Sequence, residues 1–347
     1  MYNTIKERIK MLRKLASVRL IRDIKPIEGA DSIELAYVDG WQVVVKKGEF
    51  KPEDKIIYCE IDSFLPEKPE YEFLRAGSFK TDAFGTSGFR LRTVRLRGAL
   101  SQGLVLPIPE NLSGAALGEE VSEVLGIKKY EAPIPACLRG DVYGPIPGII
   151  RITDQERIQN LLDYFERYKD LEFEESEKLS GTSTTYFFDG DQFGVCGHNW
   201  RLKENDSVAY WKVAKNIDIE GRLRKYGKRI AVQGEIIGEG IQKNMYKLRG
   251  THFRIFDIWD IERQRYLLPM ERFVVVKGLG LGVSDHVPIL GVRKIFQDYK
   301  TVDDLLEHAD RMSSLIPVKQ EGFVYKSYET VGPEVISFKV INNNFKE

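Results

Sequence analysis

Cysteine is scarce in this chain. There are three, Cys59, Cys137 and Cys196, far apart and in no metal-ligand spacing, which excludes a disulfide framework and a cysteine-built zinc site. Long apolar runs are missing too, since none approaches the ~20 residues a helix needs to span a bilayer. The stretch from Met1 to Leu15 alternates charged and apolar residues at helical spacing and lacks the continuous apolar core of a secretory signal. The chain therefore reads as a cytoplasmic protein without membrane association. Charge of one sign is also absent, because 52 basic residues balance 52 acidic ones. Overall electrostatics cannot draw such a chain to a polyanion, so any nucleic acid must meet a local basic face. Internal repeats and low-complexity tracts are absent as well.

What is present is an ordinary globular composition, 42% hydrophobic and 30% charged. At 347 residues the chain is long enough for two domains, each able to bury a core. Residues 1–127 read as an N-terminal helix and a small β-barrel. Its strands are Ser17 to Ile21, Ile33 to Val38, Gln42 to Val45, Lys55 to Cys59 and Arg90 to Leu96, punctuated by Asp39-Gly40 and Lys47-Gly48. An OB-type barrel is the leading candidate and another small β-sandwich the alternative. Residues 128–150, rich in proline and glycine, read as a linker.

The second domain, residues 151–347, opens on Thr153-Asp154 before a helical pattern with Ile158, Leu161, Leu162 and Phe165 on one face. Thr184 to Phe188 and Phe193 to Cys196 flank Asp189-Gly190, a hairpin signal. A helix is expected from Asp206 to Tyr226, stopped by Gly227, then strands at Ile230 to Ile237 and Phe253 to Trp259. Thr301 with Asp304 caps a further helix, and strands at Gly322 to Ser327 and Val335 to Ile341 close an α+β pattern of antiparallel sheets.

Candidate chemistry is spread along this domain. Lys178 stands in Glu177-Lys178-Leu179-Ser180-Gly181. A lysine that attacks phosphorus needs an anionic substrate held in line and a lowered pKa, and Gly181 would permit close approach of backbone to phosphate. By itself the K-x-x-G pattern describes an exposed loop lysine. Glu235 and Glu321 sit beside glycines at strand ends, where a carboxylate can contact a ribose hydroxyl or a divalent cation; a surface glutamate beside a turn is the plainer reading. Lys326 and Lys339 lie among apolar strand residues and need an anionic partner, such as phosphate, or serve to protect sheet edges. Phe256 could stack on a nucleobase or simply fill the core. Clustered lysines and carboxylates are what nucleotidyl transfer requires, since it runs on positioning and charge neutralisation.

Taken in order, Lys178 to Gly181, Gln233-Gly234-Glu235, Phe256-Asp257, Glu321 to Lys326 and Ser337-Phe338-Lys339 resemble the motifs of the covalent nucleotidyltransferases. Gly234-Glu235-Ile236-Ile237 with Gly240-Ile241-Gln242 resembles the RNA ligase version. Arg97-Gly98-Ala99-Leu100-Ser101-Gln102-Gly103-Leu104 and Glu60 to Pro66 look like the subgroup with an N-terminal OB module. The resemblance implies an OB-type barrel followed by an antiparallel-sheet α+β nucleotidyltransferase domain, similar to ATP-grasp ligases. It implies an ATP-dependent RNA ligase that uses Mg2+ or Mn2+, carries AMP on Lys178 and joins 3′-hydroxyl to 5′-phosphate ends, often in nicked duplex of RNA or RNA/DNA, with no obligate protein partner. By the same likeness Lys339 contacts the α-phosphate, Lys326 and Glu321 assist catalysis, and Glu321 and Asp257 hold metal. Glu177 reads the adenine edge, while Gly181, His198, Glu235, Gln242, Phe256 and Asp257 line the nucleotide site. Ser180, His198 and Ser337 depart from the family pattern, which bears on rate and metal use. A catalytically weak nucleotide- or RNA-binding relative is the rival reading; a DNA ligase or guanylyltransferase matches Gly240-Ile241-Gln242 less well.

From Gly85 to Pro109 there is no acidic residue, while Arg90, Arg92, Arg95 and Arg97 recur. On one strand Arg90 would share a face with Arg92, and Arg95 with Arg97, suiting a phosphate backbone. Phe84 and Phe89 are nearby stacking candidates. Solvated strand faces are the alternative.

Overall fold

The computed structural model describes residues 14–138 and 140–346, so all but the last two residues of the Met1 to Leu15 stretch, where an N-terminal helix is expected, lie outside the described residues. The described residues divide into two compact units, one ending at Cys137 and the other beginning at Leu138.

Alternation of apolar and polar residues makes the first unit. In Trp41–Lys46 the side chains of Trp41, Val43 and Val45 are buried and those between them are not, as period-two patterning dictates. Its strands are β1 (Ala16–Leu20), β2 (Asp23–Pro26), β3 (Ile33–Val38), β4 (Trp41–Lys46), β5 (Lys55–Cys59), β6 (Ser63–Pro66), β7 (Phe79–Thr81), β8 (Ser87–Arg90), β9 (Thr93–Leu96), β10 (Ala99–Gln102), β11 (Leu104–Pro107) and β12 (Lys128–Lys129). They pair as β1-β5-β11, β2-β3-β4, β12-β6-β8-β7 and β10-β9, the small OB-type architecture expected. Asp39 and Gly40 both take positive φ, 47° and 83°, in the β3–β4 turn, the conformation a two-residue hairpin needs.

Three expectations for this unit are corrected. The strand from Arg90 to Leu96 is broken, because Leu91 turns into the core at 4% exposure and bonds to the Ser63 and Asp62 backbone. Arg90 therefore ends β8, Arg92 lies in the connection, and Arg97 sits at φ 51° in the β9–β10 turn, so the two expected arginine pairs share no strand face. Phe89 is fully buried in the core and cannot stack on a base, whereas Phe84 is 80% exposed. The 128–150 segment is not a free linker: Lys128–Lys129 pairs with β6, and Val142–Pro145 belongs to a sheet of the second unit.

That second unit has two sheets. Strands β13 (Val142–Pro145), β14 (Glu156–Arg157), β15 (Phe173–Lys178), β16 (Thr182–Phe188), β17 (Phe193–Cys196), β18 (Trp200–Leu202), β19 (Ile230–Gly238), β20 (Thr251–Asp260), β21 (Arg265–Tyr266), β22 (Ile289–Arg293), β23 (Gly322–Ser327) and β24 (Ser337–Ile341) form a seven-stranded sheet, β13-β18-β17-β16-β19-β20-β21, and a five-stranded sheet, β14-β24-β23-β15-β22. Helices carry the apolar face of each. Val213, Ala214, Ile219, Leu223, Val275 and Val276 pack on the larger sheet; Ile295, Phe296, Val302 and Leu305 pack on the smaller. Among the described residues no helix is long and apolar enough to cross a membrane.

The helix expected over Asp206 to Tyr226 is two, Ala209–Asn216 and Ile219–Tyr226, broken where Asp218 adopts φ 49°. Asp tolerates the left-handed region, and the break lets both segments turn apolar residues to the same sheet. After Thr153 the chain forms β14, a tight turn at Ile158–Asn160 and a one-turn helix at Tyr164–Arg167 instead of one long helix. Ile158, Leu161 and Phe165 still reach the core, but Leu162 is 43% exposed. The hairpin at Asp189-Gly190 and the Thr301–Asp304 capping box form as expected.

Candidate active site

Lys178 ends β15, and the turn Leu179-Ser180-Gly181 carries the chain from the smaller sheet to β16 of the larger. Leu179 is buried. Ser180 N–H donates to the Tyr246 hydroxyl at 2.8 Å, and Gln242 Nε2 donates to the Gly181 carbonyl at 3.0 Å. A Cβ at position 181 would collide with the Ile236 carbonyl oxygen; glycine is needed for approach to protein backbone here, whatever a phosphate later requires. Directly across from Lys178 in the ladder stands Gly322, where a Cβ would strike the Val340 carbonyl. No side chain therefore crowds the lysine from β23.

The Lys178 ammonium donates to Glu321 Oε1 at 2.5 Å. Burial, the strongest influence, pulls its pKa down, but attraction to Glu321 and Glu235 outweighs burial and the nearby Arg157, leaving it raised. Glu235, half-buried on β19, has its carboxyl pushed up to about 8, chiefly by burial and also by Glu321, with Lys178 and the Gly181 amide opposing. At neutral pH the resting site therefore holds a lysine ammonium, clamped by Glu321, beside a largely protonated Glu235.

Lys339 is the second cation. Its Nζ lies 3.2 Å from Asp154 Oδ1, and burial, aided by Arg157 and Lys178, lowers its pKa against the pull of Asp154. Arg157 pairs directly with Lys339 between β14 and β24. Lys178, Lys339 and Arg157 are mutually repelling cations, and such a group favours an anion between them. Thr153 and Tyr266 fasten this segment to the other sheet: the Thr153 hydroxyl bonds Gln233 Oε1, Gln233 Nε2 donates to the Arg151 carbonyl at 2.8 Å, and the Tyr266 hydroxyl to the same carbonyl at 3.1 Å.

Lys326 behaves differently. It is 2% exposed on the central strand β23, which rules out edge protection. It pairs with Asp257 at 2.8 Å and also donates to the Phe256 carbonyl. Burial lowers Lys326 and raises Asp257, each opposed by the other. Beside them Arg272 Nη2 donates to both carboxylate oxygens of Glu174, at 2.9 and 2.8 Å, and Nη1 donates to the Phe256 carbonyl at 3.2 Å. These four charges bind the two sheets and the helix Pro269–Gly278 together beneath Phe256. Asp257, expected as a metal ligand, pairs here with Lys326, while Glu321 and Glu235 are the carboxylates that act on Lys178.

Phe256 is half-buried in a cluster with Leu179, Ile237, Tyr246 and Val287, an apolar floor next to Lys178. Glu177 faces away from Lys178 by strand alternation. Its buried carboxylate accepts from the Ser313 hydroxyl at 2.5 Å, the Ser314 amide at 2.9 Å and the Ser314 hydroxyl at 2.5 Å, so most of its acceptor capacity is taken up within the protein. His198 is exposed in the β17–β18 turn, at the same end of its sheet as Gly181. Sequence reasoning missed Arg157, Asp154, Arg272 and Tyr246; none lies in a recognisable motif, and only the cross-strand pairing of Arg157 with Lys339 exposes its place. Among the described residues no group of three or more His, Cys, Asp or Glu could hold a metal ion alone. Glu235 and Glu321 nevertheless form a carboxylate pair that could share a hard cation with phosphate oxygens.

In the first unit Arg90 is tied to Asp62 at 2.7 Å and lies over the Tyr130 ring at 4.6 Å. Arg92 donates to the Gly77 carbonyl and Arg95 to the Gly98 carbonyl, each at 3.3 Å. Arg92, Arg95 and Arg97 are exposed, along with every residue of β9.

An OB-fold domain family matches residues 15–108, and the RNA ligase family matches residues 171–341. Among solved structures, an apo aspartate-to-alanine mutant of Naegleria gruberi RNA ligase is 43% identical, covering 96% of this chain and 97% of that one with a TM-score of 0.78. The same ligase with PPi gives 43% identity, 96% and 97% coverage and a TM-score of 0.77. Its lysine-to-alanine mutant with ATP and Mn gives 42%, 95%, 97% and 0.78. No curated protein sequence matches the chain.

Proposed function

The chain belongs to the RNA ligase family, and from that premise we propose that it seals 3′-hydroxyl to 5′-phosphate RNA ends, chiefly at nicks in duplex, through lysyl-AMP on Lys178. The observation that carries this reading is the placement of Lys178 at the end of β15 beside the carboxyl groups of Glu321 and Glu235, with Lys339 and Arg157 alongside. Deprotonated Lys178 Nζ attacks the α-phosphorus of ATP; a P–N bond forms and pyrophosphate leaves. A 5′-phosphate oxygen then takes the adenylyl group, breaking the P–N bond and returning the amine. Finally the 3′-hydroxyl, losing its proton, attacks the 5′-phosphorus and AMP departs.

Lys339 and Arg157 face the phosphates and offset charge as it shifts to the leaving group. Glu321 must release Lys178, since an ammonium engaged in an ion pair is no nucleophile. Glu321 and Glu235 would hold a divalent cation, Mg2+ or Mn2+, which when bound would supply charge to offset the phosphates. Phe256 offers a face for adenine, and Lys326 and Asp257 act through it as positioning residues. Gln242 fixes the turn through Gly181, and His198 borders the ribose side. On the first unit, Arg92, Arg95, Arg97 and Phe84 provide exposed guanidinium and aromatic surface suited to a nucleic-acid strand.

The test is incubation with α-labelled ATP and Mg2+ or Mn2+, followed by mass spectrometry. One adenylyl group on Lys178, absent from Lys178→Ala, is expected; an unlabelled protein, or label on another side chain, defeats the reading.

A further inference from the structure

The connection between β19 and β20 runs from Gly238 to Gly250 and contains three cations, Lys243, Lys247 and Arg249, against one acid, Glu239. It is unusually ordered for a surface loop. Gln242, Asn244 and Lys247 hold φ of 48°, 44° and 51°, and Gly238, Gly240 and Gly250 are also positive. Non-glycine residues in this region cost free energy that the surroundings must offset. The offset is visible in the turn bonds Asn244 N to Ile241 O at 2.9 Å and Lys247 N to Asn244 O at 2.9 Å, and in the Asn244 side chain bonded to both the amide and the carbonyl of Leu248. Two buried side chains, Ile241 and Tyr246, root the loop in the apolar clusters on either side.

The same loop reaches the nucleophile turn twice in succession, by Tyr246 to Ser180 and by Gln242 to Gly181. Its cations, by contrast, are exposed, while Lys339 and Arg157, the groups that meet the nucleotide phosphates, sit largely out of solvent. A triphosphate in the pocket is already supplied with cations; Lys247 and Arg249, on the exposed side of the loop, are placed to meet a larger polyanion approaching from solvent.

We propose that the Gly238–Gly250 loop is a binding site for the phosphate backbone of the RNA strand flanking the break, with Lys247 and Arg249 as its ion-pairing side chains. Through the two bonds to Ser180 and Gly181, it seats that strand at a fixed distance from Lys178. The inference rests on the ligase reading above, and its test is separable from that reading because lysyl-AMP formation needs no RNA.

The experiment compares wild type with Lys247→Gln/Arg249→Gln, measuring lysyl-AMP formation, binding of nicked RNA duplex as a function of salt, and single-turnover sealing by pre-adenylated enzyme. The expected result is lysyl-AMP formation within about twofold of wild type, with duplex binding at least about tenfold weaker and a salt slope shallower by roughly 1.8, about 0.9 per lost phosphate contact. Sealing should fall in proportion. Unchanged binding and slope overturn the proposal, and so does an equal loss of adenylylation and sealing, which would make the loop only a support for the turn. Charge reversal at the same positions, Lys247→Glu/Arg249→Glu, should deepen the binding loss and leave lysyl-AMP intact. If wild type forms no lysyl-AMP, the ligase reading fails, while the binding measurement still decides the loop.

Discussion

Glu235 offers the sharpest handle on the site. With its carboxyl pushed up to about 8, it is about one-tenth ionised at pH 7 and about nine-tenths at pH 9. A cation–ATP complex that takes the anionic form must expel the proton, so its affinity should climb about tenfold across that interval, equivalent to ~1.4 kcal/mol. In the free site Lys178 is protonated, since its pKa is raised, and comparison with Glu235→Gln separates the Glu235 proton from any that Lys178 gives up on binding. Calorimetry of Mg2+–ATP binding in buffers of differing ionisation enthalpy counts the protons. Nearly one should be released at pH 7, falling to about half at pH 8. Glu235→Gln should flatten the profile. Lys178→Met should move the inflection to higher pH, because Lys178 holds the Glu235 carboxyl down. For the free protein the sign is fixed as well: a carboxyl raised on folding contributes stability at acidic pH that is lost as pH rises through about 8, so Mg2+–ATP should stabilise most on the alkaline side. Wild-type affinity that is flat from pH 7 to 9, with no proton release, would refute the reasoning.

Three further outcomes are expected. Gly181→Ala should cut lysyl-AMP formation by on the order of a hundredfold with an unchanged circular dichroism spectrum, because the Cβ displaces the nucleophile turn from the Ile236 carbonyl; near-normal adenylylation would contradict it. Removing one partner of the Arg272–Glu174 pair, 1% and 2% exposed, should cost about 3–5 kcal/mol, whereas Glu174→Leu/Arg272→Met should cost less than either single change; denaturant unfolding of the second unit decides. Lys326→Met should raise the KM for ATP more than it lowers the rate of lysyl-AMP formation, since Lys326 acts on Phe256 through its carbonyl, and an effect confined to rate would show direct contact with the reacting phosphate.

The β-strands were the most readable part of the chain, because short runs rich in apolar residues and bounded by turn residues survive folding: β3 and β5 begin and end where those runs do. Helical readings failed where one residue overrode periodicity. Asp218 entered the left-handed region, and the segment after Thr153 was drawn out between two sheets by Gln233 and Lys339. In the site, residues inside contiguous motifs were legible, and Lys178, Glu235, Glu321 and Lys339 do converge. Their division of labour was not, because it depends on which strand face a side chain occupies and on partners distant in sequence. Lys326 reads like a phosphate ligand and has Asp257 beside it, and Glu177 reads like a base contact and accepts bonds from Ser313 and Ser314. Arg157 had no legible signal, since cross-strand neighbours emerge only from register.

Gly181 and Gly322 flank the nucleophile with absences. Backbone passes so near at both positions that even a methyl group has nowhere to go, so the main chain around the nucleophile is packed directly against its neighbours. Transplanting this chemistry to a different scaffold would thus demand copying that close main-chain contact first: the right charges grafted onto bulkier positions would be pushed out of register with the amine.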